Sequence, residues 1–308
     1  MSSPRSAYVH IPFCHRRCFY CDFPIVPLGD KANGESGSGS LSIKSYLDFL
    51  FREIVLVDHK TPLSTIYIGG GTPSILSADQ IQSILKLLEN QFGLQDGAEV
   101  TIEVDPASIS FKTLKDYLMV GINRVSLGVQ SFDSYILKKI GRIHSLDDIY
   151  KCCEWLNSFY ENGDIFSWSI DLIQNLPDQT LNQWREQLDK AINTLAPHIS
   201  VYDLSIEPGT VFEKRQSLGK LNLPDEELSA DIFRMTSVVL SNAGFARYEL
   251  SNFAKPMHSS RHNRVYWSSR GWWGFGLGAT SAPWGTRFTR PRTRDLYYKW
   301  VVSQEHNG

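Results

Sequence analysis

Three cysteines lie close together near the amino terminus, where they could hold a metal. Cys14, Cys18 and Cys21 are separated by three and then two residues, and they follow an apolar run at residues 7–11. Thiolates select zinc or iron–sulfur iron over hard cations. Structural zinc normally closes with four ligands, often from two Cys-x-x-Cys pairs, and no second pair exists here. Three thiolates in one loop would instead bind three irons of a four-iron cluster and leave the fourth iron open.

The overall composition is that of an ordinary globular chain and argues against several classes of protein. The 308 residues are 42% hydrophobic and 21% charged, with a formal net charge of −2. No basic run is longer than two residues, so we expect no nucleic-acid partner. No stretch approaches the roughly 18 consecutive apolar residues that a membrane span needs, so no membrane-spanning segment is expected.

The five cysteines indicate a reducing compartment. Adjacent Cys152 and Cys153 lie in a helix-like stretch and are expected to be buried structural thiols, so no disulfide framework is expected. The residues before Tyr8 are too few for a targeting peptide, and this favours a cytoplasmic location. A mitochondrial or plastid location is the alternative if the amino terminus is incomplete.

Short β-branched runs alternate with helical patterns along most of the chain. Strands are predicted at residues 7–11, 64–69, 99–103, 124–128, 166–173 and 199–206. The stretches between them carry apolar residues at three- and four-residue steps, which is typical of helices. Repeated strand–helix units imply a parallel sheet, because each parallel pairing needs a crossover. The pattern predicts an α/β fold, a (βα)6 barrel or part-barrel with chemistry at the carboxyl ends of the strands. A doubly wound open sheet is the alternative.

Two segments depart from this alternation. Residues 29–42 are rich in Gly and Ser and are predicted to form a flexible insertion. From Phe253 onward the pattern changes to Gly, Trp and Arg. We therefore predict a core domain at residues 1–250 and a distinct extension at residues 251–308.

The cysteine spacing after a first strand resembles that of the radical S-adenosylmethionine (SAM) superfamily, and seven motifs narrow the resemblance. They are Tyr8-Val-His10-Ile-Pro-Phe-Cys14, Gly69-Gly-Gly71-Thr-Pro73-Ser, Gly121-Ile-Asn-Arg124-Val-Ser-Leu-Gly128-Val-Gln130-Ser-Phe132, Gly141-Arg142-Ile-His144, Asp171-Leu-Ile-Gln-Asn-Leu176-Pro, Ile206-Glu207-Pro-Gly209-Thr and His262-Asn263-Arg-Val-Tyr266-Trp267. Together they resemble the oxygen-independent coproporphyrinogen III oxidase-like family and, within it, the HemW-type heme chaperone branch. The match runs from about residue 7 to about residue 285.

The resemblance implies a 4Fe-4S cluster on the three cysteines, with SAM chelating the open iron. It implies that Gly70, Gly71 and Thr72 contact the amino acid moiety of SAM. It also implies a reducing electron donor, because SAM cleavage in that superfamily consumes one electron.

Four more polar residues are candidate SAM contacts. Glu103 ends a predicted strand and could accept hydrogen bonds from ribose hydroxyls, or it could simply face solvent. Gln130, Arg142 and Asp171 match positions that line SAM, or a second SAM, in the oxidases. Asp171 lies in an otherwise apolar strand and needs a partner, for which Arg142 is a candidate. A purely structural ion pair is the alternative for those two residues.

Aromatic residues flank the cysteines. Tyr8 and Tyr20 could pack on the cluster or on SAM, or they could belong to the core. His10 alternates with Tyr8 on the predicted strand, and we expect it to have a structural role near the cluster.

Two observations separate the chaperone branch from the oxidases. The oxidases carry a further cysteine two positions after the third cluster cysteine, and this chain has Phe23 there. The His262-Asn263-x-x-Tyr266-Trp267 motif resembles one associated with heme binding in the chaperone branch. A neutral imidazole is a natural axial heme ligand, so His262 is a candidate heme ligand. The alternative is an aromatic-rich structural loop in which His262 only forms hydrogen bonds.

The resemblance therefore predicts a heme chaperone that binds heme and delivers it to a recipient hemoprotein, with no residue assigned as catalytic. The alternative is an oxidase of porphyrin biosynthesis that acts on porphyrinogen propionates, so whether the chain is an enzyme stays open. The family continues into a small helical C-terminal domain, whereas this chain ends at Gly308. We expect that domain to be largely missing.

Overall fold

The computed structural model describes residues 3–30, 32–35 and 39–306. The strands are β1 Ser6–Ile11, β2 Phe13–Cys14, β3 Val26–Pro27, β4 Leu63–Gly70, β5 Leu94–Val104, β6 Arg124–Gln130, β7 Ser167–Gln174, β8 His198–Asp203, β9 Ala246–Arg247, β10 Asn252–Ala254, β11 Trp273–Phe275, β12 Thr280–Ser281 and β13 Phe288–Thr289. The α-helices are α1 Ser40–Val55, α2 Ala78–Phe92, α3 Phe111–Met119, α4 Ser134–Lys139, α5 Leu146–Glu161, α6 Leu181–Asn193, α7 Val211–Ser217, α8 Glu226–Asn242, α9 Arg261–Trp267 and α10 Arg294–Glu305.

The centre of the fold is a nine-stranded sheet in the order β11-β1-β4-β5-β6-β7-β8-β10-β9. Its strands from β11 to β8 are parallel, and β10 and β9 add an antiparallel edge. The six predicted strands are all present and lie side by side in chain order. This confirms the α/β part-barrel with a mostly parallel sheet. Among the described helices, none is both long and apolar enough to cross a membrane.

Alternate residues of the parallel strands face two different environments. On one face Val9, Ile68 and Ile102 are fully buried in the apolar core that the helices cover. The other face is polar. One row of residues that pair across adjacent strands on this face consists of Tyr8, Tyr67, Thr101, Arg124 and Ser167. Side chains that point into a barrel stack in such layers. The part-barrel therefore encloses a polar interior.

Helix α1 corrects one boundary. It begins at Ser40, inside the predicted insertion at residues 29–42, and ends at Val55. Residues 40–42 of the predicted insertion are therefore helical, because serine is tolerated in a first helical turn while Ile43 begins the buried face. Residues 31 and 36–38 of that insertion lie outside the described part of the chain. Its flexibility stays a prediction.

The segment after residue 250 adds strands to the same sheet. Strand β10 pairs with β8, and β11 pairs in parallel with β1. Neither strand was expected, because three residues are too few to show a periodicity. The division into a core and an extension at residue 250 stays a prediction.

A buried ion pair ties α1 to this segment. Arg290 Nε lies 2.7 Å from Glu53 Oε1, and both side chains are almost fully buried. The other oxygen of Glu53 accepts hydrogen bonds from Tyr297 Oη at 2.7 Å and from the Gly276 amide at 2.8 Å. The carboxylate thus joins α1, β11 and α10 through groups far apart in sequence.

Replacing Arg290 by Met should destabilise the chain strongly, because it leaves the Glu53 carboxylate buried without its cation. We expect the free energy of unfolding, measured with urea, to fall by roughly 3–5 kcal/mol. The control is Arg234→Met, which removes an exposed arginine paired with Asp231 and should cost about 1 kcal/mol or less. Equal losses in the two variants would contradict this account.

Candidate cluster and SAM site

The three predicted cluster cysteines line one cavity of about 460 Å³ at the carboxyl ends of the parallel strands. Cys14 ends β2, and Cys18 and Cys21 follow in the loop that leads to β3. Burial raises the pKa of Cys14 to about 12 and also raises the pKa of Cys21. Buried thiols of this kind ionise only when a metal compensates their charge.

Hydrogen bonds to backbone carbonyls close the cysteine loop on itself. The Val26 amide donates to the Pro12 carbonyl at 2.6 Å, and the Leu28 amide donates to the Cys14 carbonyl at 2.8 Å. Arg17 also donates from Nη1 to the Cys21 carbonyl at 3.1 Å. Arg17 was not singled out from the sequence, because nothing in the spacing shows that it turns back onto its own loop.

His10 links the end of β1 to the far side of this loop. Its Nε2 lies 3.1 Å from the Pro24 carbonyl, which can only accept, so Nε2 carries the proton. Its Nδ1 then accepts from Tyr8 Oη at 2.9 Å. Burial lowers the pKa of His10 to about 4, which keeps the ring neutral. These contacts are the structural role expected for His10.

The glycines after β4 pack directly on the cysteine loop. The Gly71 amide donates to the Ile11 carbonyl at 2.8 Å. A Cβ on Gly71 would lie 2.9 Å from Cys14 Sγ, and one on Gly70 would lie 2.7 Å from the His10 ring. Such approaches exclude any side chain. The backbone of Gly70, Gly71 and Thr72 therefore forms part of the cavity wall.

Two carboxyl groups face the cavity from β5 and β7. Glu103 accepts from Tyr67 Oη at 2.8 Å and from the Gly70 amide at 3.0 Å. Asp171 accepts from Ser126 Oγ at 3.0 Å. Burial raises the pKa of Glu103 to about 7 and raises the pKa of Asp171 as well. Both groups retain oxygen lone pairs for hydroxyl or ammonium donors of a ligand.

Arg142 pairs with Asp105, and the suggested pair with Asp171 is not formed. Arg142 Nη2 lies 2.6 Å from Asp105 Oδ2, and Nη1 lies 3.8 Å from Cys18 Sγ. Burial alone raises the pKa of Asp105, but Arg142 and His144 outweigh it and hold that pKa below its ordinary value. The guanidinium thus points at a predicted cluster ligand. Asp105 was missed as its partner, although its position after the β5 strand was a usable signal.

Gln130 has an unusual backbone. Its φ is 65°, and the pairing of β6 with β7 shifts between Leu127 and Gln130. A residue other than glycine in this region costs free energy and is often found at functional sites. The side chain lines the cysteine cavity, as predicted for a SAM contact.

The two candidate tyrosines occupy different spaces. Tyr20 lines the cysteine cavity. Tyr8 lines a smaller polar chamber of about 210 Å³ in the interior of the part-barrel. The two spaces adjoin, since five residues line both, namely Phe23, Gly70, Glu103, Ser126 and Tyr202.

His262 lies away from the cysteines, at the wall of this inner chamber. Its Nδ1 lies 2.8 Å from Thr65 Oγ1 and its Nε2 lies 2.8 Å from Tyr266 Oη, and the residue is 1% exposed. Burial lowers the pKa of His262 to about 3. In this arrangement both ring nitrogens are occupied, so binding to a heme iron would require at least one hydrogen bond to break.

The residues around the cysteines fit a four-iron cluster and SAM. The cavity volume is within the usual range for small-ligand sites, and the missing Cβ of Gly71 leaves room beside Cys14. Among the described residues, no three Cys, His, Asp or Glu side chains converge closely enough for a single metal ion. When bound, the cluster supplies a single electron to SAM. The residues that line the cavity would bind and orient SAM and exclude water from it.

Replacing Cys18 by Ala should abolish cluster assembly, because one of three thiolate ligands is lost. We expect anaerobic reconstitution to leave the variant with little iron and sulfide, measured by chemical analysis. The control is Cys153→Ala, which removes a buried thiol of α5 that does not line the cavity. Retention of a full cluster by the Cys18 variant would contradict the assignment.

Glu103 should make stability depend on pH in a defined window. The unfolded carboxyl ionises near 4.5 and the folded one near 7, so unfolding becomes easier as pH rises through that interval. The change amounts to at most roughly 3 kcal/mol. Glu103→Gln should remove this component from unfolding free energies measured between pH 4 and 8, whereas exposed Glu161→Gln should not. Identical pH profiles in all three proteins would refute the assignment.

Known proteins resemble this chain over most of its length. The profile of the Radical SAM superfamily matches residues 8–191. Heme chaperone HemW of Synechocystis sp. is 43% identical over 306 residues, covering 99% of this chain and 72% of that protein. Heme chaperone HemW of Lactococcus lactis is 37% identical over 289 residues, covering 94% of this chain and 72% of that protein. The structure of coproporphyrinogen III oxidase (HemN) from Escherichia coli, a radical SAM enzyme, matches with a TM-score of 0.80 at 27% identity, covering 98% of this chain and 70% of that one. Because the superfamily profile covers the cysteine site and the HemW similarity extends along the whole fold, this chain belongs to the Radical SAM superfamily and, within it, to the HemW family.

Proposed function

We propose that this chain is a cluster- and SAM-binding heme chaperone that binds heme and delivers it to a recipient hemoprotein. The observation that carries the proposal is the 43% identity to a heme chaperone along 99% of the chain. That similarity includes the cysteine loop and the segment after residue 250.

Phe23 supports the chaperone over the oxidase. It lines the cysteine cavity and is 54% exposed. The oxidases that the sequence resembles carry a cysteine at this position, and a phenyl ring supplies neither a thiol nor a proton. The cavity thus lacks a reactive group there.

The cofactor contacts are part of the same proposal. Cys14, Cys18 and Cys21 would hold the cluster, and the backbone at residues 70–72 would approach the amino acid moiety of SAM. The other contacts are assigned to Tyr8, Tyr20, Glu103, Gln130, Arg142 and Asp171. The clustering of all but Tyr8 around one cavity supports the assignment. Tyr8 lines the adjoining inner chamber instead and donates a hydrogen bond to His10.

Three further predictions accompany the proposal. A reducing electron donor is expected as a further partner besides the recipient hemoprotein. A cytoplasmic location is expected, and a mitochondrial or plastid location is the alternative. His262 as an axial heme ligand remains a prediction, because its ring would first have to leave Thr65 or Tyr266.

A specific observation also favours the oxidase as a second candidate. The fold matches coproporphyrinogen III oxidase with a TM-score of 0.80, and the residues that match the SAM contacts of the oxidases are present. A chain of this kind could remove carboxylate groups from porphyrinogen propionates. The two candidates differ in whether the porphyrin is released unchanged.

The deciding experiment uses the anaerobically reconstituted chain with SAM and a chemical reductant. We expect one heme to bind per chain, as measured by the absorption spectrum of the heme. We expect chromatography to recover coproporphyrinogen III unchanged. Cys18→Ala is the control, because any radical chemistry requires the cluster. Consumption of coproporphyrinogen III by the unsubstituted chain, absent in Cys18→Ala, would establish the oxidase instead.

A further inference from the structure

Arginines line a second cavity, at the end of the part-barrel opposite the cysteines. Its volume is about 410 Å³, and it lies where β4 and β5 begin, at Ser64 and Gln95. Four of its nine lining residues are arginines, namely Arg5, Arg261, Arg264 and Arg270. The other lining residues are three with hydroxyl groups, one amide and one valine, so no acidic side chain lines it. A site of this composition is built for anions.

The arginine cavity is not neutralised by the rest of the described chain. Arg261 donates to the Gly97 carbonyl at 2.7 Å, and this contact leaves its charge uncompensated. Within residues 3–30, 32–35 and 39–306, the side chains of Arg5, Arg264 and Arg270 have no hydrogen-bond or ion-pair partner. All four arginines are exposed, so solvent screens part of their mutual repulsion, and a bound anion would relieve the rest.

The nearby carboxylate is already engaged. Glu99 accepts from the backbone amides of Arg261 and His262, both at 2.9 Å, and from Ser260 Oγ at 3.2 Å. It is buried and does not line the arginine cavity. The Glu99 carboxylate therefore caps the start of α9 and does not neutralise the guanidinium groups of the cavity.

Helix α9 separates this cavity from the interior. Arg261, Arg264, Val265 and Ser268 recur at three- and four-residue steps and line the arginine cavity. In the same segment His262, Asn263 and Tyr266 face the inner chamber. Trp267 is 58% exposed, and its position three residues after Arg264 puts it beside that side chain. Trp267 does not line the arginine cavity, but it lies about one helical turn from Arg264 and offers an exposed aromatic face close to that side chain.

We infer that the arginine cavity binds the propionate carboxylates of heme, an inference that rests on the proposed heme chaperone function. The fork of a guanidinium matches a carboxylate with two parallel hydrogen bonds. Heme carries two propionates on one edge of a flat aromatic ring, so that edge fits the arginines while the ring packs on Trp267. The surroundings favour an anion too, since residues 251–308 contain nine Lys and Arg against two Asp and Glu.

The test titrates hemin into the reconstituted full chain and into the double variant Arg264→Ala/Arg270→Ala. We expect the variant to bind hemin at least tenfold more weakly, because charge-assisted hydrogen bonds are lost. The matched control is Arg185→Ala/Arg234→Ala, which removes two exposed arginines elsewhere and should change affinity less than twofold. Hemin dimethyl ester, which has no free carboxylates, should bind the unsubstituted chain as weakly as hemin binds the double variant.

Several outcomes would overturn the assignment. Equal hemin affinity in the double variant, or equal affinity for hemin and its dimethyl ester, would show that the arginines do not bind the propionates. If inorganic pyrophosphate binds the unsubstituted chain but not the double variant, while both proteins bind hemin with the same affinity, the cavity is a phosphate site. Failure of the unsubstituted chain to bind hemin at all would remove the proposed function, and this site with it.

Discussion

The close contact between the cysteine loop and the glycines after β4 is the constraint on which the cofactor site depends. Cys14 Sγ lies so near Gly71 that a Cβ on this residue would be only 2.9 Å from the sulfur. Backbone hydrogen bonds from Gly71 and Thr72 to residues 11 and 13 fix the two segments together. Because the contact is made by backbone, the geometry does not rely on ordering flexible side chains. The contact therefore fixes the position of Cys14 relative to the backbone of residues 70–72.

This contact sits on a sheet whose inner face is polar, and that face has its own physical requirement. Buried polar groups must find partners, since an unpaired one costs several times what a made hydrogen bond contributes. Glu103 meets the requirement with Tyr67 and Gly70, and Arg142 meets it at Nη2 with Asp105, whereas its buried Nε has no partner among the described residues. These partners also aim the side chains at the cavity. The hydrogen bonds that pair these buried polar groups therefore also orient the groups that a cofactor would contact.

Much of this arrangement could be predicted from the sequence, because local patterns carry it. The six strands follow from β-branched runs, and the capping box of Ser77 with Gln80 at the start of α2 is a local signal of the same kind. The cysteine cavity follows from one loop and from the rule that parallel strands gather ligands at their carboxyl ends. The partner of Arg142 was predicted wrongly, because Asp105 lies 37 residues earlier and the position of Asp105 after β5 was not weighed against Asp171. Strand β11 was missed because its pairing with β1 joins segments about 266 residues apart, as at Ala7 and Trp273.

The His262-Asn263-x-x-Tyr266-Trp267 segment shows most clearly where sequence reasoning stops. As a motif it is one unit, but a helix presents its residues on different faces, so the segment divides between two spaces. His262 and Tyr266 hydrogen-bond to each other at the inner chamber, while Trp267 is exposed near the arginines. A sequence motif reports which residues occur together and not which surface each one reaches. The helix therefore forms one wall between a polar interior, continuous with the cofactor cavity, and a basic outer cavity, and any ligand at the outer cavity meets arginines before it could meet the imidazole.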